Sequence, residues 1–158
     1  ILAPLAPLAT LHGWPVGTLL VEHAGLHFMG AGVASLGILG ALAAQLHMGD
    51  AWRVGVDETE TTTLVTGGLF AYVRNPIFSF IGVSLLGFVL LVPNLFSVAT
   101  LGLTSVGIQL QVRAVEEPYL RARHGERYAR YAAEVGRFVP GFGKLAGAAR
   151  DPSAPAAR

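Results

Sequence analysis

The sequence contains no cysteine among its 158 residues. That absence excludes disulfides, thiolate nucleophiles, iron–sulfur clusters and thiolate metal sites. Charge is the next scarcity. Asp, Glu, Lys and Arg make up 13% of the chain, about half of the roughly 25% found in soluble domains. Lys and Arg are missing altogether before Arg53 and again from Asn75 to Val112. With 53% hydrophobic residues and a mean hydropathy of +0.55, such uncharged stretches exclude a soluble enzyme and point to an integral membrane protein. No basic patch alternates with aromatics, so nucleic acid is not an expected partner.

What is present divides into spans and polar segments. The uncharged run from Leu26 to Leu46 is long enough to cross roughly 30 Å of hydrocarbon as a helix, with limits near residues 25–47. The stretch from Asn75 to Val112 is too long for one crossing and is split by Pro93-Asn94, which predicts a helical hairpin over residues 76–92 and 95–112. Each arm is slightly short, so flanking residues or local thinning complete the span. Ile1 to Leu11 is apolar but carries Pro4 and Pro7, and reads as the fragment of a first span. No basic region precedes it, so it does not read as a secretory signal. The expectation is an all-α, multi-pass membrane protein with about four spans. Residues 1–144 form one membrane-embedded domain, and residues 145–158, rich in Ala and Pro, form a disordered tail.

The basic residues orient these spans. Arg53 and Arg74 lie between the second and third spans, and the remaining Arg and Lys residues follow the fourth. By the positive-inside rule both segments face the cytoplasm, where any active site is then built. The first segment ends in Arg74-Asn75-Pro76, which by itself reads as a topological arginine followed by an N-cap and a first-turn proline. Trp52 with Arg53 reads as an interfacial anchor. The second segment contains Glu116-Glu117 and then an amphipathic helix over residues 118–135. Leu120, His124, Tyr128, Tyr131 and Val135 lie on its apolar face, and Arg123, Glu126, Arg127, Arg130 and Glu134 on its charged face. Such a helix can simply lie on anionic headgroups. The two acids are less easily explained on an otherwise basic face, although acids near a helix N-terminus also favour the helix dipole. Gly30 with Ala34, and Gly40 with Ala44, suit close helix packing in the membrane. The five histidines are scattered, and a His47–His124 metal pair is improbable, so no metal is expected.

Taken together, LVTGGLFAYVRNPIF at 64–78 and EEPYLRARHGERYARYAAEVGRFVP at 116–140 resemble the isoprenylcysteine carboxyl methyltransferase family and the wider phospholipid methyltransferase group. The shared pattern is a Gly-Pro-Tyr segment leading to Arg-His-Pro at the start of a span, a helical hairpin, then Glu-Glu and a Tyr-x-x-Tyr helix ending in Arg-Phe-x-Pro. The resemblance covers about residues 49–140. It implies an S-adenosylmethionine-dependent methyltransferase that encloses its cofactor between the hairpin and the C-terminal segment.

By that resemblance Gly68, Leu69, Phe70, Tyr72, Val73, Arg74, Asn75, Pro76, Glu116 and Tyr128 contact the cofactor, while Glu117 and Arg137 carry the catalytic roles. Arg137 or Arg74 would orient a carboxylate acceptor, and Glu117 would take the proton of an amine or thiol. Leu69 stands where the family has proline, Phe70 and Phe78 where it has tyrosines, and Asn75 where histidine is common. Asn75 cannot titrate, which removes any proton step through that position. The acceptor is expected to be lipophilic and to enter from the bilayer: a prenylcysteine-like carboxylate, a phospholipid amine or an isoprenoid-type small molecule. An NADPH-dependent membrane reductase of the sterol-reductase type, and a non-enzymatic module binding lipid or protein, remain alternatives. The sequence says nothing of oligomeric state.

Overall fold

The computed structural model describes residues 12, 20–48 and 64–145. These residues form helices and turns without strands: α1 (Ala24–Met48), a 3₁₀ turn (Gly68–Ala71), α2 (Pro76–Leu91), α3 (Leu95–Gln111), a π-helical turn (Val112–Glu116) and α4 (Glu117–Glu134). The expected first span at residues 1–11, the Trp52-to-Asp57 stretch and the tail from residue 146 lie outside the described residues. Leu145, which composition assigns to the tail, is fixed by its N–H donating to the Ala132 carbonyl at 2.9 Å.

Helix α1 reverses the burial order of a soluble protein. Its buried residues are the small ones, Gly30, Ala34, Gly37 and Ala44, whereas Phe28 is 81% and Leu46 83% exposed. Water does not permit that arrangement along a whole helix, but hydrocarbon does, because lipid tails are as apolar as leucine and only close packing draws helices together. The buried stripe lies against α2. A Cβ at Gly30 would stand 2.3 Å from the Leu91 backbone nitrogen, one at Gly37 2.4 Å from that of Ser84, and one at Gly87 2.2 Å from that of Ala34. Gly40 faces the Phe80 ring in the same way. The two backbones touch because side chains are absent at their crossing.

Helix α1 and the helical run that begins at Leu95 are long and apolar enough to cross a membrane. Helix α2 has 16 residues, about 24 Å of rise, and is shorter than the hydrocarbon core. The turn joining α2 to α3 is closed by Asn94, whose side chain accepts from the Ser97 N–H at 2.8 Å while the Ser97 hydroxyl accepts from the Asn94 N–H at 3.2 Å. This reciprocal cap satisfies donors that a helix start otherwise leaves open. The Leu20 N–H donates to Pro93 O at 2.6 Å, and His27 Nδ1 donates to Leu91 O at 2.7 Å. The start of α1 and the end of α2 therefore share one end of the bundle. Helix α3 buries none of its own residues.

At the other end the polypeptide does not break between α3 and α4, as the sequence suggests, but runs on through the π turn. Pro118 explains the wider turn. A helical proline lacks an N–H and its ring crowds the carbonyl four residues back, here Ala114, so widening residues 112–116 makes room for it. Glu116 and Glu117 accordingly sit in continuous helix rather than at a free N-terminus, so the helix-dipole explanation for the acids does not apply. Helix α4 bends at Gly125 (φ 49°, ψ −126°), a conformation that side-chain-bearing residues rarely adopt. On this helix Tyr128 and Ala132 are buried with Leu64, flanked by Leu120, Tyr131 and Leu145, while Arg123, Glu126, Arg127, Arg130 and Glu134 are exposed.

Candidate active site

Two chain segments meet at the α2 N-terminal end. Residues 64–75 enter through the 3₁₀ turn, where Gly68 (φ +58°) takes a left-handed conformation and passes so close to the His47 ring that a Cβ would stand 1.9 Å from its Nε2. Val73 and Gly136 then form an isolated parallel bridge. The Arg74 N–H donates to Gly136 O at 2.8 Å and the Asn75 N–H to Arg137 O at 3.0 Å. Asn75 precedes α2 but its side chain does not cap the helix. Its amide donates instead to Arg137 O at 3.2 Å. Sequence reasoning takes Asn75 for a cap; the structure makes it a clasp on the second segment.

That backbone pairing brings Arg74, Glu117 and Arg137 together. Arg137 grips the Glu117 carboxylate with a two-pronged pair, Nε to Oε1 at 2.6 Å and Nη2 to Oε2 at 2.9 Å. Arg74 reaches Oε1 from another side at 2.8 Å. Its Nη1 donates to the Ala132 and Val135 carbonyls and its Nη2 also to Gly143 O, while its buried Nε–H has no hydrogen-bond partner among the described residues; the side chain is 2% exposed. Burial alone would push the Glu117 carboxyl up, but hydrogen bonds from Arg137 and Arg74, and their charges, hold it below the usual carboxylate range. A carboxylate so occupied is a poor proton acceptor. Neighbouring Glu116 is the reverse case. It is half-buried, has no ion pair or hydrogen bond among the described residues, and is pushed up by burial and by the Glu117 charge.

Tyr128 and Tyr131 pack edge to face with ring centroids 6.3 Å apart. The Tyr131 hydroxyl donates to Phe70 O at 2.6 Å, and burial raises it to about 12. The Tyr128 hydroxyl is likewise raised, by burial first and the Glu117 charge second. Through its hydroxyl Tyr131 ties α4 to the 3₁₀ turn. Beside the turn lies a cavity of about 230 Å³. Leu69, Tyr72, Val73 and Pro76 form one wall and Phe138 and Pro140 another, with Ser79 and Phe80 contributed by the first turns of α2. Ser79 pins the second wall, its Oγ donating to Phe138 O at 2.6 Å.

A family description for phospholipid methyltransferase matches residues 26–127. The chain belongs to the phospholipid methyltransferase family. No curated protein matches the sequence. Members of the family are methyltransferases acting on lipid-type substrates. Arg74 and Glu117 fall inside the matched stretch, whereas Tyr128 and Arg137 fall beyond it.

Of the residues that the sequence singles out, the structure gathers Arg74, Glu117, Arg137 and Tyr128 in one buried cluster and Leu69, Tyr72, Val73 and Pro76 around the cavity. Phe70 enters through its carbonyl, Asn75 through its clasp, and Gly68 through its contact with His47. Glu116 stands beside the cluster without joining it. Sequence reasoning passes over Ser79, Phe80, Tyr131 and His47 as site residues. Ser79 had a local signal, since it lies one helical turn after Asn75, but His47 had none.

Proposed function

We propose that this phospholipid methyltransferase family member uses S-adenosylmethionine to methylate the amine of a phospholipid headgroup on the cytoplasmic membrane face. The observation that carries the reading is the apolar cavity at the start of α2, flanked by two segments that the Arg74–Glu117–Arg137 cluster locks together. The residues present fit the cofactor. Tyr72, Phe80 and Phe138 suit a planar ring or a methylene chain, and Glu116 offers an uncommitted anionic group to a cationic one. A cavity of about 230 Å³ lies below the roughly 300 Å³ lower bound of small-molecule pockets, so it receives one end of the ligand rather than all of it.

When bound, S-adenosylmethionine supplies a methyl group activated by a sulfonium and open to in-line attack. Gly68, Leu69, Phe70, Tyr72, Val73, Asn75 and Pro76 would hold the cofactor through the 3₁₀ turn and the start of α2, and Glu116 would pair with its ammonium. Arg74 and Tyr128, which are buried behind the turn, act by fixing it. Glu117 and Arg137 are positioning residues: their pair sets the spacing of the two segments to which the reaction owes its proximity and water exclusion.

Calorimetry and thermal shift with S-adenosylhomocysteine on detergent-solubilised protein test the reading, with micromolar binding expected. Labelled methyl should then pass to phosphatidylethanolamine. Losing a hydrogen bond to a charged group costs about 1.5–3 kcal/mol, so Glu116→Gln should weaken S-adenosylhomocysteine at least about tenfold. Unchanged affinity with lowered kcat would reassign Glu116 to the acceptor's proton. NADPH binding without any response to S-adenosylhomocysteine would overturn the methyltransferase reading in favour of a reductase.

A further inference from the structure

The loop after Arg137 turns several backbone carbonyls inward and the side chains of Val139 and Phe142 outward. The Arg137 N–H donates to Phe142 O at 2.8 Å and the Phe142 N–H to Val139 O at 3.1 Å. Gly143 O accepts from Arg74 at 3.1 Å and Phe138 O from Ser79 at 2.6 Å. Gly136 lets the loop close on itself, since a Cβ there would stand 2.2 Å from Val139 O. Yet Phe142 is 74% and Val139 55% exposed, and Tyr72 on the adjoining turn is 69% exposed. The carbonyls of Phe138, Val139, Phe142 and Gly143 are thus hydrogen-bonded, which lowers the cost of setting the loop against an apolar medium, and its other backbone groups suit the hydrated interface rather than the hydrocarbon core.

Its height in the fold is fixed. The Ser79 contact pins the loop three residues into α2, about 4.5 Å past the first residue of that helix at 1.5 Å per residue. Directly beyond Phe142 and Gly143 comes exposed Lys144, and Arg113, Arg121, Arg127 and Arg130 are exposed on the π turn and α4. Aromatic and aliphatic prongs flanked by cations at the end of a spanning helix match the chemistry of a phospholipid interface, apolar below and anionic above.

We propose that residues 138–143 form a membrane-contact strap, in which Val139 and Phe142 insert into the interface of an anionic phospholipid bilayer while Lys144 meets the phosphates. The same strap carries the Gly143 carbonyl that accepts from Arg74 and the Phe142 carbonyl that accepts from the Arg137 N–H, so bilayer contact and support of the charged cluster are properties of one segment. The proposal rests on the membrane-spanning reading and not on methyl transfer.

The lack of cysteine makes the test direct. Single variants Val139→Cys, Phe142→Cys, Arg130→Cys and Leu103→Cys carry a nitroxide label in phosphatidylcholine–phosphatidylglycerol vesicles, and collisions with oxygen and with a water-soluble nickel chelate are compared. At positions 139 and 142 the oxygen-to-nickel ratio is expected to be several-fold above that at position 130 and below that at position 103 in the middle of α3. If positions 139 and 142 match position 130 while position 103 stays in lipid, the strap proposal fails and the spanning reading stands. If position 103 is also open to the nickel chelate, both fail. Val139→Cys alone decides the matter should Phe142→Cys not fold, because each prong is required to meet lipid.

Discussion

The α1–α2 crossing and the Arg74–Glu117–Arg137 cluster are both tightly packed, but opposite forces hold them. At the crossing there is nothing to pair: Gly30, Ala34, Gly37 and Gly87 bring backbone against backbone, and the large side chains face outward. At the cluster charge must be matched, because three charged side chains are buried within a few ångströms of one another. Shape fails gradually as atoms are added. Charge fails abruptly when one partner is removed, since the other is left buried and uncompensated.

Substitutions can break this comparison in order of expected effect. Glu117→Ala strands two buried guanidinium groups and should cost about 3–5 kcal/mol of stability, read as a large fall in the midpoint of thermal or denaturant unfolding. A loss below that of the packing variants would refute the contrast. The same residue gives the protein an acid limb. Its folded carboxyl is held below the ordinary value of 4.5, so its contribution is fully present above that value and is lost as pH falls through the folded one. In Glu117→Gln this limb should disappear from the stability–pH profile.

Gly87→Val forces a Cβ to within 2.2 Å of the Ala34 backbone and should cost about 1–3 kcal/mol by overpacking, with α1 and α2 pushed apart. Tyr131→Phe removes the donor to Phe70 O. It should cost about 0.5–1.5 kcal/mol and loosen the 3₁₀ turn, read as faster amide exchange at Phe70 to Val73. The smallest effect is expected on α3, where Leu103 is 64% exposed; Leu103→Ala should change stability by less than about 0.5 kcal/mol. A larger loss would mean that something covers this helix.

The sequence by itself determined the elements. Uncharged length predicts α1 over Leu26–Leu46, and the structure has Ala24–Met48; Pro93-Asn94 predicts the hairpin turn, and the helices end at Leu91 and resume at Leu95. These features are local, because apolar length, proline and small-residue spacing act within a few turns of one chain. Even the α1 packing stripe was legible in Gly30 and Ala34. Only the tertiary structure decided what the charges do. Arg74 and Glu117 are separated by 43 positions, and Glu117 and Arg137 by 20. Spacing in sequence contains no rule by which an arginine read as topological becomes the buried partner of a distant acid. The same holds for Asn75, which local rules make a cap and the neighbouring segment turns into a clasp, and for Pro118, whose helix continues because the π turn before it yields. Hydrophobic patterning fixes where the chain runs in a membrane, but the pairing of buried polar groups depends on which segments meet, and that is settled only when the whole fold closes.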